Sequence, residues 1–345
     1  MSDLVAAWHQ AYPEPLQTRF AGMAEAGLFR VGLDESSGYT AIARTWEKLV
    51  ARTGLLGLGS AWAARQMTAR FFVIGFSSAE QQAALLPLLS SGATGLAVAI
   101  SEPGVGAHPK NLSTRAEADG NGFRINGEKA WVSNGPDAGL FLVFAITSEQ
   151  AGRKRFAAFL VPRDTQGLEL RDMPAFHGLR PARHCGLVLR DCRVKLTARL
   201  GPEGDAFAAM AVPFRDVEDA VGAAGLVGAF RFVLARLGSD ATPDSLASLG
   251  AIAALSDVLA HGALAAVAAL DAGKLAQEAG TVIGLRLLAA EIVRRIHAHR
   301  QSYPAGSSES LDGLLADIDI ILNVAKGPRL IRQTRLGAAL RLSPP

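Results

Sequence analysis

The spacing of apolar residues changes twice along the chain. Up to about residue 90, apolar side chains recur every three or four positions, which is the spacing of amphipathic helices. From Gly95 to about Gly201, short alternating runs are separated by Gly, Asn and Asp, a pattern typical of strands and turns. Helical spacing returns after Pro213. We therefore predict an α+β multidomain fold with a helical domain at 1–92, a β domain at 93–205 and a helical domain at 206–345.

The middle region contains eight short runs that predict strands. Their regular spacing is typical of a small β-barrel or sandwich. Asn126-Gly127 predicts a two-residue hairpin turn, because Asn and Gly tolerate the positive φ angles that such turns require. The predicted strands are 95–100, 113–117, 122–125, 128–133, 140–146, 156–162, 167–171 and 186–194.

Four long helices are predicted after Pro213, which is enough for a four-helix bundle. The first contains Ala223, Ala224, Gly225 and Gly228, small residues that allow a neighbouring helix to approach closely. Pro, Gly and Ser mark loops between the helices. The predicted helices are 214–237, 246–271, 274–301 and 311–340, with loops at 238–243 and 303–310.

Composition excludes several classes of protein. The 345 residues include 35 Lys and Arg against 32 Asp and Glu, and a net charge of +3 is too small to indicate nucleic acid or an anionic membrane as the main partner. The apolar stretch 251–269 is interrupted by Asp257 and His261, so no membrane span is expected. Cys185 and Cys192 share one predicted strand, which disfavours a disulfide between them. The small number of cysteines, the lack of an expected membrane span and a start without a basic segment indicate a soluble cytoplasmic protein.

Two motifs in the β region carry candidate chemistry. Ser101-Glu102-Pro103-Gly104-Val105-Gly106 follows an apolar strand, and its glycines allow the backbone to approach a flat ligand. Lys129-Ala130-Trp131-Val132-Ser133-Asn134 follows the predicted hairpin. Taken alone, a strand Trp favours core packing and Ser101 is an ordinary turn hydroxyl. A ligand site would instead use Ser101, Trp131 and Ser133 together.

These two motifs resemble the flavin-binding strand and turn, and the next flavin-contacting strand, of acyl-CoA dehydrogenases. Phe159-Leu160-Val161-Pro162, Gly178-Leu179-Arg180 and the segment 187–201 resemble later segments of that family in order and spacing. The resemblance covers about residues 90–235. It implies bound FAD, with Trp131 beside the isoalloxazine ring and the Ser133 hydroxyl bonded to it. The FAD contacts it implies are Ile100, Ser101, Gly106, Trp131 and Ser133.

The reaction implied by the resemblance is oxidation of an acyl thioester between its α and β carbons. A carboxylate removes the α proton and a hydride leaves for the flavin. The commonest family position for this base is Ala325 in this chain, and alanine cannot accept a proton. A minority of the family keeps the base on the first bundle helix, where Glu218 lies here.

Two interpretations of Glu218 remain open. Phe214, Glu218, Val221 and Gly225 share one helical stripe, which predicts a carboxylate that faces inward, as a shielded base requires. Alternatively, Glu218 belongs with its charged neighbours to a solvated first turn, where acids suit the helix dipole. Those neighbours are Arg215, Asp216 and Asp219.

Several departures from the family pattern keep three functions open. Gly106-Ala107-His108 replaces a Gly-Ser-Asp turn, Arg236-Leu237-Gly238 is followed by a shortened loop, and Pro304 to Ser308 replaces a glycine-rich loop. His108 and His184 are candidates for an acid, a base or a phosphate contact, although a loop His usually has none of these roles. The functions are an FAD-dependent dehydrogenase that uses Glu218, a non-catalytic subunit that pairs with a fuller homologue, and a flavin oxidase or monooxygenase. The implied partners are an acyl-CoA or acyl-carrier thioester, electron-transfer flavoprotein or oxygen, and further subunits in a homo- or hetero-oligomer.

Overall fold

The structure is a computed structural model that describes residues 3–14, 20–34, 37–173, 176–202, 204–304 and 309–340. Contacts between α-carbons divide the chain into two compact units. Unit 1 comprises Met1–Gly38, Ala61–His177 and Pro181–Asp216, and unit 2 comprises Tyr39–Ser60, Gly178–Arg180 and Val217–Pro345. The division at 92 and 205 that the sequence suggested stays a prediction.

The helices of the described residues fall in two groups, one on each side of the strand region. The short first helix begins at a cap, where Asp3 Oδ1 accepts a hydrogen bond from the Ala6 amide at 3.2 Å. Before the strands lie α1 (Leu4–Ala11), α2 (Tyr39–Thr53), α3 (Leu56–Thr68) and α4 (Ala79–Ser90). After them lie α5 (Val212–Ser239), α6 (Leu246–Asp271), α7 (Ala279–Ser302), α8 (Glu309–Asn323) and α9 (Lys326–Leu340).

Eight strands of unit 1 form one hydrogen-bonded sheet in the order β6-β7-β3-β2-β4-β5-β8, with β1 paired to β4 in parallel. Most predicted strands are confirmed within a few residues, and the two-residue β8 was not predicted. The strands are β1 (Leu96–Ala99), β2 (Arg115–Asp119), β3 (Gly122–Ser133), β4 (Leu140–Gln150), β5 (Arg153–Pro162), β6 (Leu168–Asp172), β7 (His184–Lys195) and β8 (Arg199–Leu200).

The sheet curls around its own core. Strands β3 and β5 are three strand steps apart, which would separate them by about 14 Å in a flat sheet. The rings of Phe123 on β3 and Phe159 on β5 nevertheless lie 4.8 Å apart between centroids. The inner face is apolar on β1, β2, β3, β4, β5 and β7. This curled, barrel-like sheet, which lies between two groups of helices in the order of the sequence, confirms the predicted fold class.

The predicted hairpin turn at Asn126-Gly127 is wrong. Both residues lie inside β3, and the β2–β3 connection is formed by Gly120 and Asn121, since Asp119 pairs with Gly122. Gly127 instead occupies a register shift against β7. Its φ is +148°, and a Cβ there would lie 2.5 Å from Thr114 Oγ1, so glycine is required for close packing rather than for a turn.

Helix α5 of unit 2 is packed closely against α2. A Cβ on Gly225 would lie 2.6 Å from the ring of Trp46, and one on Gly228 would lie 2.4 Å from the Glu47 carbonyl oxygen. Glu47 also forms an ion pair with Arg231. The predicted close approach at these small residues is therefore confirmed, and the neighbour is a helix from the amino-terminal third of the chain.

The last predicted helix, 311–340, is two helices. Helix α8 ends at Asn323 and α9 begins at Lys326, with Ala325 between them at φ +54°. Residues 212–340, in their described part, therefore contain five helices rather than the predicted four. Earlier in α8, Asp317 Oδ1 accepts a hydrogen bond of 2.6 Å from the Leu179 amide, which holds the Gly178–Arg180 turn within unit 2.

Two helical stretches have the length and composition of a membrane span. These are Phe207–Ser239, of which 67% is buried in its most apolar window, and Pro243–Asp271, of which 33% is buried. Core helices of soluble proteins have the same properties, so the two stretches are weak evidence for a membrane location.

Candidate functional site

The Ser101–Gly106 motif forms a closed turn at the end of β1. The Glu102 amide donates to the Gly106 carbonyl at 2.9 Å, and the Gly106 amide donates back to the Glu102 carbonyl at 3.1 Å. Gly104 and Gly106 have φ of +74° and +63°, the left-handed region that favours glycine. The predicted turn is therefore present, with Gly106 exposed at its end.

A buried ion pair joins this turn to β3. Lys129 Nζ lies 3.0 Å from Glu102 Oε1 and donates to the Ile100 carbonyl at 3.1 Å. Glu102 also accepts from the amides of Ser113 and Thr114, at 2.7 and 2.9 Å. Both charged side chains are almost fully buried. Both carboxylate oxygens of Glu102 thus accept hydrogen bonds, which is the condition for burying a carboxylate.

Glu102 and Lys129 each affect the pKa of the other. Burial alone would raise the pKa of Glu102, but Lys129 and the hydrogen bonds from Thr114 and Ser113 lower it to about 2. Burial lowers the pKa of Lys129 to about 8, although Glu102 favours its charged form. The pair therefore remains ionised at neutral pH and holds the turn against the strand.

A bulge in β3 presents Trp131 to the surface. Lys129 pairs with Leu187 and Val132 with Cys185, so β3 has one more residue than β7 between these pairs. Trp131 occupies the bulge with φ +58° and is 52% exposed. Core packing is therefore excluded as the role of this ring. A large aromatic residue held in a strained conformation on the surface is a candidate platform for a flat ligand.

The bulge also fixes the direction of Ser133. Val132 is buried between Trp131 and Ser133, which are both exposed and both lie beside His184. Ser133 pairs with His184 across the β3–β7 ladder, and its Oγ lies 3.1 Å from His184 Nδ1. Burial lowers the pKa of His184, so this imidazole is neutral at pH 7.

Two aromatic rings lie beside the imidazole of His184. Phe176 meets the imidazole edge to face at 5.3 Å between centroids, and Trp131 does so at 6.4 Å. Trp131 and Phe176 are themselves 5.8 Å apart. His184 Nε2 is buried and has no hydrogen-bond partner in the described part of the chain. Among the described residues, the imidazole is thus hydrogen-bonded only to Ser133.

Most of the predicted cofactor residues are therefore brought to one surface of unit 1. The Ala130 amide donates to the Ser101 carbonyl at 2.9 Å, which places Ser101 beside the bulge that carries Trp131. Ile100 is tied to the same point through Lys129. The side chain of His108 is exposed, and its backbone carbonyl accepts the Asn111 amide.

The predicted inward direction of Glu218 is wrong. Glu218 is exposed and belongs to unit 2, and the next residue on α5, Asp219, is the buried acid. Arg329 Nη2 lies 2.9 Å from Asp219 Oδ1, Arg332 Nη1 3.0 Å from Oδ2 and Arg286 Nη2 3.5 Å from Oδ1. Asp219 therefore ties α5 to both α7 and α9.

Arg286 carries its charge in a largely buried position. Burial and repulsion from Arg329 lower its pKa to about 10, although Asp219 and Glu218 attract its charge. The guanidinium stays protonated at neutral pH, and its Nη1 also donates to the Ile321 carbonyl at 2.9 Å. The cluster lines a small cavity of about 20 Å³ together with Val282, Ile283 and Gln333.

At the other position considered for a base, Ala325 stands in the left-handed turn between α8 and α9. It has no group that accepts a proton. The predicted loop at Pro304–Ser308 lies, except for Pro304, outside the described residues.

Sequence reasoning missed three relationships. Glu102 and Lys129 were recognised as members of two motifs but not as a pair. His184 was predicted to lie in a loop, and Asp219 was placed on a solvated helical turn. The first had no clear local signal, because the strand that carries Lys129 also contains Arg124, Asn126 and Glu128. The other two depend on partners far away in sequence, so no local signal existed.

A family model and curated proteins relate the middle part of this chain to one family. Residues 97–192 match the model of the acyl-CoA dehydrogenase middle domain. The short-chain specific acyl-CoA dehydrogenase of Homo sapiens mitochondria is 36% identical over 135 residues, which are 39% of this chain and 33% of that protein. The matched region thus spans about a third of this curated relative's length.

Solved structures match over nearly the whole chain. Butyryl-CoA dehydrogenase from Megasphaera elsdenii has a TM-score of 0.84 at 18% identity, covering 99% of this chain and 98% of that chain. A glutaryl-CoA dehydrogenase from Mycobacterium smegmatis in complex with FADH2 has a TM-score of 0.80 at 20% identity, covering 99% and 94%. At these identities the likeness concerns the fold.

Proposed function

Because the chain belongs to the acyl-CoA dehydrogenase family, we propose that it is an FAD-dependent oxidoreductase that acts on an acyl thioester of CoA or of a carrier protein. The observation that carries this proposal is the exposed Trp131 at positive φ, next to the exposed Ser133. A solvent-facing indole of this kind is costly for the protein unless a ligand covers it.

The residues of this surface fit a flavin. Trp131 offers an aromatic face, and Ser133 and Ser101 offer hydroxyl groups close to it. No atom of the described residues lies within 4 Å of where a Cβ would be on the exposed Gly104 or Gly106, so the backbone there is open to a ligand. Ile100 and Gly106 would contribute backbone contacts. FAD in this position would supply hydride transfer.

The remaining chemistry requires a base from the chain itself. We propose Glu218 for this role, because it is a carboxylate on the first bundle helix and Ala325 cannot act. Its attraction for the buried Arg286 places it beside the cationic cluster of unit 2. Glu218 is exposed, so its proton affinity would rise only when bound substrate excluded water from it.

The test uses the purified full chain. Yellow protein whose colour bleaches anaerobically on addition of an acyl-CoA supports the proposal, and Glu218→Gln should keep the colour but not bleach. Glu14→Gln, which alters an exposed carboxylate near the start of unit 1, is the matched control and should bleach normally. Colourless protein that does not take up added FAD would contradict the flavin assignment, and bleaching by Glu218→Gln would contradict the base.

A second candidate function is supported by the residues at the same two positions, 218 and 325. Ala325 and the exposed Glu218 are what a subunit would have if a fuller homologue supplied the catalytic base. This chain would then co-purify with that homologue, and Ala325→Glu would not create activity in the isolated chain.

Peroxide formation without an enoyl product would instead identify a flavin oxidase, with oxygen rather than electron-transfer flavoprotein as acceptor.

A further inference from the structure

The pairing of Ser133 with His184 is more constrained than a surface hydrogen bond. The two residues are directly opposed on β3 and β7, and the Asn134 amide donates to the Arg183 carbonyl at 2.8 Å just beyond them. The backbone therefore fixes the 3.1 Å separation between Ser133 Oγ and His184 Nδ1. Opposed side chains at this distance remain in contact without further support.

The two nitrogens of the imidazole have different surroundings. A neutral imidazole carries one proton, on either Nδ1 or Nε2. A proton on Nε2 would be a buried donor without a hydrogen-bond acceptor among the described residues, and the rings of Phe176 and Trp131 lie beside the imidazole. Orphaned buried N–H donors are rarer than orphaned acceptors. A proton on Nδ1 has Ser133 Oγ as its acceptor.

We propose that His184 is a positioning residue that carries its proton on Nδ1 and donates it to Ser133, so that the Ser133 hydroxyl directs its own hydrogen to a ligand acceptor. A hydroxyl group whose oxygen accepts one hydrogen bond can still donate its own hydrogen to another acceptor. Ser133 is exposed on the side of Trp131, so this donor is available to a bound ring system. Without His184, the hydroxyl would rotate among several acceptors, including water.

The tautomer can be measured without any ligand. In protein labelled with ¹⁵N, long-range ¹H–¹⁵N spectra at pH 7 distinguish a protonated from an unprotonated ring nitrogen. We expect Nδ1 to be protonated and Nε2 unprotonated. A proton on Nε2, or on both nitrogens, would overturn the proposal whether or not the chain binds flavin.

The effect on the hydroxyl is tested by substitution. Asn places an amide donor near the position of Nδ1, whereas Leu has none. The binding readout rests on the proposed FAD site: His184→Leu should weaken FAD binding about tenfold, as should Ser133→Ala, and His184→Asn should retain most of the affinity. His261→Leu, which changes an exposed histidine of unit 2, is the matched control.

A double substitution separates positioning from packing. If His184 acts through Ser133, the double variant Ser133→Ala with His184→Leu binds FAD no more weakly than either single variant. Additive losses, or an Asn variant as weak as the Leu variant, would contradict the proposal. If the unmodified chain binds no FAD, the proposed function fails, and the ring spectra alone decide the role of His184.

Discussion

The ammonium group of Lys129 lies 3.0 Å from the Glu102 carboxylate, and the two side chains are 0% and 4% exposed. This pair connects the turn after β1 to the strand that carries Trp131. Its loss would leave a buried charge without a partner. Such a loss costs far more than the removal of a surface ion pair, because the remaining group has no water to replace its partner.

Replacing Lys129 by Met should therefore lower the free energy of unfolding by about 3–5 kcal/mol. Urea denaturation of the unmodified chain and the variant measures this difference. Lys110→Met, at an exposed lysine of the same unit, is the control and should change stability by less than about 0.5 kcal/mol. Equal effects of the two substitutions would show that the pair does not hold the turn.

The same pair predicts an acid-sensitive stability. The Glu102 pKa is lowered to about 2, below its value in an unfolded chain of about 4.3. Between these values the unfolded chain binds the proton and the folded chain does not, so stability falls as pH falls through this window. The contribution is on the order of 3 kcal/mol above pH 5.

Urea midpoints between pH 6 and pH 2 measure this dependence. The double variant Glu102→Gln with Lys129→Met should show a weaker loss of stability in acid than the unmodified chain. Other carboxylates contribute equally to both proteins, so the difference between the two curves isolates Glu102. Parallel curves would mean that this carboxylate titrates normally.

Asp219 should be required for the stability of unit 2. It is 5% exposed on its side chain and contacts three arginines, of which Arg286 and Arg329 are mostly buried. Asp219→Asn would leave these cations to repel one another, and we expect a loss of about 3 kcal/mol in unfolding free energy. Asp257→Asn on the exposed side of α6 should change it by less than about 0.5 kcal/mol. Thermal and urea unfolding that showed equal losses would contradict this role.

Replacement of Ala by Gly should have opposite effects on stability at Ala325 and at Ala316. A non-glycine residue at φ +54° is strained by about 1–2 kcal/mol, so Ala325→Gly should raise stability by about 1 kcal/mol. Ala316→Gly, at an exposed position inside α8, should lower it by about 1 kcal/mol. Effects of the same sign at both positions would mean that residues 324 and 325 do not form a turn in solution.

Much of this fold was determined by local sequence. The apolar runs identified β4, β5 and β7, and the helical spacing identified α6 at Leu246–Asp271, because these patterns record which residues of each element are buried. The residues near the candidate flavin surface were also identified from sequence, since Ser101, Trp131 and Ser133 belong to two compact motifs.

Tertiary structure decided what local patterns could not. Asn126-Gly127 has the composition of a turn, yet pairing with β7 keeps it within a strand, because many ladder hydrogen bonds outweigh one turn preference. Glu218 and Asp219 are adjacent acids on a helix that is buried on nearly all sides beyond them, so apolar spacing could not choose between them. The choice was made by Arg286, Arg329 and Arg332, which lie more than sixty positions away and meet Asp219 only in the folded chain.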